Sequence, residues 1–171
     1  MLSCLQGPDA GGNTVFASTD VAYRRLSPIM QELVDKLRAV HSSSKIIGYT
    51  RLAGDLVRKD PVDTVHPIVR VHPVTGEKCL FVNAEFITKI VGLKESEQKV
   101  ILEFLMQHMI MGHDKPGASQ LDSESIVMFD NHCTLHTAVV DYVNDGGTVE
   151  LRHLFRLAAM AEKPIPVTQG K

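Results

Sequence analysis

The sequence contains no apolar run approaching the about 20 residues that a membrane-spanning helix requires. Its opening, Met1 to Gly7, holds too few apolar residues to be a secretory signal. It also lacks a disulfide framework. Cys4, Cys79 and Cys133 are odd in number and show no paired spacing, which predicts reduced thiols and a cytoplasmic protein. Neither sign of charge dominates: 18 Lys and Arg stand against 20 Asp and Glu, a formal net charge of -2. Such a balance excludes a strong field for nucleic acid or an anionic membrane surface. The richest cationic group, Arg24, Arg25, Lys36, Arg38 and Lys45, is read as the solvated face of a helix. Repeats and internal linkers are absent, and no Walker or dinucleotide spacing follows Gly11-Gly12.

What is present fits one domain. The chain has 171 residues, of which 44% are hydrophobic, enough to bury a core. After the turn-forming stretch Gly7 to Asn13, Thr14 to Ala17 reads as a short strand. Ser27-Pro28 is a helix start, and Ile29, Met30, Leu33, Val34, Leu37 and Val40 follow at helical spacing as a core-facing stripe. Asp60 to Thr64 reads as a connecting loop. Pro67 to Val71 and Cys79 to Asn83 then form a hairpin around the turn Pro73 to Glu77. Glu95 to Met111 is a second helix, with Val100, Ile101, Phe104, Leu105, Met109 and Ile110 on its apolar face. Lys115 to Ser125 is polar and reads as loop, Ile126 to Phe129 and Thr137 to Val140 as strands, and Asn144 to Gly147 as a turn. Leu151 to Met160 makes a last apolar element. Together these predict a β-rich α+β domain with helices on one side.

The chemistry concentrates near the C-terminus. His136 follows Phe129-Asp130-Asn131 and precedes Arg152 and Arg156. A neutral imidazole is a good ligand for divalent iron, and guanidinium groups grip carboxylates bidentately. The two arginines are four residues apart, which places them on one face of either a helix or a strand. A histidine near two arginines is nevertheless common, and the spacing has no specificity of its own. His132 and His136, with Cys133 between them, could suggest a metal pair, but a zinc site needs two further ligands and no recognisable spacing supplies them. His41, His66, His72, His108 and His153 read as structural or surface residues.

Several separated motifs occur in one order: Gly11 to Ser18, Leu26-Ser27-Pro28, His66 to Gly76 with Leu80 to Asn83, and Asp130-Asn131 through His136 to Arg152 and Arg156. In this the chain resembles the taurine and sulfonate (TauD/TfdA-type) family of Fe(II)- and 2-oxoglutarate-dependent dioxygenases, particularly its fungal sulfonate branch. The resemblance implies a double-stranded β-helix, or jelly-roll, core with flanking helices, spanning 1-171 as one partial domain that is incomplete on its N-terminal side and covers the C-terminal two-thirds of the family domain. It implies hydroxylation beside a sulfonate, consuming O2 and 2-oxoglutarate and yielding sulfite, succinate and CO2. His136 resembles the distal histidine of a 2-His-1-carboxylate iron triad. Arg156 resembles the arginine that pairs with the distal carboxylate of 2-oxoglutarate, and Arg152 its neighbour near the substrate's anionic group. Thr14 resembles the hydroxyl that also contacts that carboxylate, and Phe16 an aromatic residue of the substrate pocket.

The chain departs from the family pattern in two places. The family draws its other two iron ligands from a His-X-Asp motif upstream of the Gly-Gly segment, and no His-X-Asp or His-X-Glu occurs here. The loop-like Lys115 to Ser125 stands where an Arg-X-Arg-Trp-like strand is usual, and His132 where an arginine is. The competing reading is therefore a non-catalytic 2-oxoglutarate- or anion-binding protein, or a remnant. A homo-oligomer is compatible with either reading.

Overall fold

The computed structural model describes residues 1–8, 10–111, 117–119, 121, 125–143, 147–148 and 150–168. In chain order the elements are β1 (Leu2–Gln6), β2 (Thr14–Ser18), α1 (Thr19–Arg25), α2 (Pro28–Asp35), β3 (Arg38–Ser42), α3 (Ser44–Leu52), β4 (Asp63–Pro67) and β5 (Val69–Val71). They continue with β6 (Lys78–Leu80), β7 (Ile87–Ile90), α4 (Glu95–Met111), β8 (Gly117–Ser119), β9 (Ile126–Val127), β10 (Thr134–Ala138), β11 (His153–Arg156) and β12 (Ile165–Pro166). The strands pair into four three-stranded sheets, ordered β11-β1-β9, β10-β2-β8, β12-β5-β6 and β4-β3-β7. Every pairing is antiparallel.

The chain divides into two compact units, the first made of Met1–Ser18 and His113–Glu162, the second of Thr19–Gly112 and Lys163–Lys171. In the first unit Leu2, Cys4 and Leu121 form a buried cluster against which Val127, Phe129 and Leu154 pack. Leu154 faces Cys4 across β1 and β11, so the alternation of strand side chains sends Leu2 and Cys4 to one apolar face. The second unit buries Ala22 and Val34 from its first two helices and Leu26 from the bend between them, Ile68, Val69, Cys79 and Leu80 at the hairpin, and Leu105 and Met109 from α4.

Local chemistry explains the boundaries. Ser27 accepts from the Met30 amide and Pro28 opens α2, as the sequence predicts. The helix, however, ends at Asp35, and Val40 lies in β3. The expected six-residue stripe is thus split between a helix and a strand, with Val34 fully buried and Ile29 80% exposed. The hairpin holds: β5 and β6 pair from Val69↔Leu80 to Val71↔Lys78. Its turn is fastened by His72, whose Nδ1 accepts from the amides of Val74 and Thr75 at 3.2 and 3.1 Å. The helix at Glu95–Met111 has the predicted bounds, but Leu105 and Met109 carry its buried line while Val100, Phe104 and Ile110 are exposed. The connection expected at Asp60 to Thr64 gives way to β4 at Asp63.

The loop reading of Lys115 to Ser125 is corrected at 117–119, which form β8 along β2; residues 115, 116, 120 and 122–124 lie outside the described residues. A strand with no apolar alternation is held here by its pairing. Of the turn expected at Asn144 to Gly147, residues 144–146 likewise lie outside the described residues. The cations read as one helix's solvated face are spread over helices and a strand. Arg24 pairs with Asp20, Lys36 with Glu32, and Lys45 with Glu85.

Candidate active site

β2 organises the residues singled out in the first unit. It runs antiparallel to β10 with His136 opposite Phe16 and Ala138 opposite Thr14. Directly opposed residues share a sheet face, as do residues two apart on one strand. Thr14, Phe16 and His136 therefore lie on a single face. His136 sits within β10, where the sequence reading had begun the strand one residue after it.

The imidazole forms a triangular cluster with two phenyl rings. Its centroid is 4.6 Å from that of Phe129 and 6.0 Å from that of Phe16, and the two phenylalanines are 5.0 Å apart. Burial, and then the charge of Arg156, holds His136 below the ordinary histidine value. At neutral pH the ring is therefore uncharged, the form in which a histidine binds a metal.

A hydrogen-bonded arginine–threonine pair stands on the same face. Thr14 is 2% exposed, and its Oγ1 accepts from Arg152 Nη2 at 2.8 Å. Arg152 Nε donates to the Gly12 carbonyl at 2.9 Å, and the Gly12 amide donates to Asp141 Oδ1 at 2.7 Å. Accepting from arginine leaves the threonine hydroxyl proton available as a donor, and the guanidinium keeps Nη1 for a second partner. The Gly-Gly pair permits this close packing. Gly11 and Gly12 take φ 79° and 67°, and a Cβ on Gly11 would lie 2.7 Å from Asp141 Oδ1. Arg156 does not join this pair. It lies in β11 opposite Leu2, exposed, and acts on His136 through its charge.

Phe129 and Asp141 join the site without a motif of their own. Phe129 was legible only as a strand residue. Asp141 gave no local signal, because its role depends on a glycine 129 positions away. His132 and His136 have different partners. His132 Nδ1 contacts the Asp130 carboxylate and its Nε2 lies 3.1 Å from Glu162 Oε2.

His136 suits one position on a divalent iron. The described residues supply no more of that set, since no group of three or more His, Cys, Asp or Glu side chains within ligating reach includes His136. The donors among the described residues therefore do not close a 2-His-1-carboxylate site.

One strand-built face thus carries a hydrogen-bonded arginine–threonine pair beside an imidazole packed with aromatic rings. The model of the taurine catabolism dioxygenase TauD, TfdA family matches residues 1–158, and the chain belongs to that family. It is 39% identical over 163 residues to an alpha-ketoglutarate-dependent sulfonate dioxygenase of Saccharomyces cerevisiae, covering 95% of this chain and 39% of the relative. An alpha-ketoglutarate-dependent sulfate ester dioxygenase of Pseudomonas putida is 31% identical over 181 residues, covering 98% of this chain and 56% of that protein. Among solved structures, a taurine dioxygenase from Burkholderia xenovorans superposes with a TM-score of 0.68 at 31% identity, covering 82% of this chain and 46% of its own. The chain thus spans 39% to 56% of the length of these relatives. With these neighbours, the antiparallel sheets are those of a jelly-roll dioxygenase core. No helix among the described residues is long and apolar enough to cross a membrane.

Proposed function

We propose that this chain is part of a cytoplasmic Fe(II)- and 2-oxoglutarate-dependent dioxygenase of the sulfonate type. Such an enzyme oxidises the carbon beside a sulfonate and releases sulfite, with O2 and 2-oxoglutarate converted to succinate and CO2. The single observation that carries the reading is the Arg152–Thr14 pair on the face that presents His136. Thr14 and Phe16 are two residues apart on a strand, which sets the clamp about 7 Å along the face from the position opposite His136. That span suits a short dicarboxylate with one end at the clamp and the other at the imidazole.

In this reading Arg152, with Thr14, takes the distal carboxylate of 2-oxoglutarate. The family resemblance alone placed Arg156 in that role; Arg156, beside His136, is instead set toward the substrate's anionic group. Phe16 and Phe129 line the pocket and exclude water from the imidazole. Iron, when bound, supplies the oxidising chemistry, and His136 is the ligand these residues offer to it.

A second reading rests on one observation, the absence of any His-X-Asp or His-X-Glu in the 171 residues. The chain alone would then bind 2-oxoglutarate or a related anion without turnover. Calorimetry with 2-oxoglutarate tests the clamp common to both readings. Arg152→Ala should cost about 2–5 kcal/mol of binding by stranding a partly buried charge partner, and Arg156→Ala much less. Equal losses in the two variants, or no binding in the unaltered chain, would refute the assignment. Detection of succinate formed in step with sulfite separates the first reading from the second.

A further inference from the structure

The second unit holds a groove of about 370 Å3 that shares no residue with the face around His136. Its walls are Arg38, Val65, His66 and Pro67 on one side and Lys163 to Pro166 on the other. β4 and β12 are outer strands of their sheets, so the groove lies along two sheet rims. Arg38 is held opposite Pro67, while Ile165 and Pro166 are held opposite Val71 and Arg70.

The lining carries two cations and no carboxylate. Lys36, Lys45 and Lys78 each sit within 3.0 Å of an Asp or Glu oxygen, whereas neither Arg38 nor Lys163 has an ion-pair partner among the described residues. The polar contact of Arg38 is a long one, Nη2 to the Val65 carbonyl at 3.5 Å. Burial, followed by the charges of Lys163, Arg38 and Arg70, holds His66 below the ordinary histidine value, so the cations act on one point. His66 Nδ1 is buried without a hydrogen-bond partner. In a chain of net charge -2, two like charges at one groove with no carboxylate in its lining make a local positive patch suited to an anion. The remaining wall is apolar, and Pro67, Pro164 and Pro166 have fixed φ, so little order would be lost on binding.

We propose that this groove binds a small organic oxyanion carrying an apolar body, with Arg38 and Lys163 on its anionic head and Val65, Ile165 and the prolines on its body. Benzoate is the probe, with acetate at matched ionic strength as the same head without the body, titrated by calorimetry into the full chain. The expected result is saturable benzoate binding that Arg38→Gln and Lys163→Gln each weaken about tenfold, as loss of a charge-assisted contact does. Both residues are exposed, so these variants should fold normally. The double variant Arg152→Ala/Arg156→Ala should leave benzoate binding unchanged, which separates this groove from the 2-oxoglutarate clamp. Three results overturn the proposal: no saturable benzoate binding, binding abolished by the Arg152/Arg156 pair but kept without Arg38 and Lys163, or acetate binding as tightly as benzoate.

Discussion

At the scale of single residues, the glycine beside the Arg152–Thr14 pair and a half-buried histidine make the most direct predictions. Gly11 needs its left-handed φ of 79° and its missing Cβ because Asp141 occupies that space. Gly11→Ala should lose about 1–2 kcal/mol from backbone conformation alone, with the Asp141 contact adding to it, measured as a lowered denaturation midpoint. His41 lies flat on Phe81, ring centroids 4.8 Å apart, with His66 edge-on at 5.2 Å. Burial, and then His66, pushes the His41 pKa down from 6.5 to about 4. Between those values the unfolded chain binds a proton that the folded chain refuses. Stability therefore falls as the pH drops through 6.5 toward 4 and is regained as it rises. Discounted for partial exposure, the effect should be about 1 kcal/mol, or about 2–4 °C in Tm. His41→Phe keeps the stacking and removes the titration, so its melting temperature should depend less on pH across that window. An unchanged pH profile in the variant would rule out His41 as the source.

At the scale of elements, the start of α2 is where sequence and structure agree most closely. Ser27→Ala removes the acceptor for the Met30 amide; the contact is long, 3.4 Å, and exposed, so the cost should fall near about 0.5 kcal/mol. A loss above about 2 kcal/mol in urea titrations would mean that Ser27 does more than cap. Ser27-Pro28, the turn before Gly76 and the bounds of α4 were legible because capping and turn chemistry are written in adjacent residues. The inner face of a short helix was not. Leu37 and Val40 continue the helical period by coincidence: the helix ends at Asp35, and pairing of β3 with β4 and β7 decides the conformation of Val40. β8 was hidden for the same reason, since Gly117 to Ser119 has no apolar alternation and takes its form from β2. In the candidate site, His136, Thr14, Phe16 and both arginines could be named from their motifs, but which arginine meets Thr14 could not. That pairing depends on where β11 and the segment before it lie beside β2, a relation between residues 138 positions apart.

At the scale of the whole molecule, the question is what the proposed clamp can do when the described residues close no metal site around His136. Losing a partner that merely orients a metal ligand weakens affinity by about 10–100-fold, so a site lacking two direct ligands should be weaker by at least that for each. His136 alone should then hold iron too weakly to survive desalting, and metal analysis of the purified chain should find far less than one iron per protein. The proposed 2-oxoglutarate clamp is built differently. Arg152, Thr14, Gly12 and Asp141 hold one another by hydrogen bonds that involve no metal donor. Addition of EDTA should therefore leave 2-oxoglutarate affinity within about twofold, a change below about 0.4 kcal/mol. A loss of tenfold or more on chelation, restored by Fe(II) and absent in His136→Ala, would show that these residues hold iron more completely than the donor set implies. In that case the reading without turnover would fall and the oxygenase reading would stand for the chain itself.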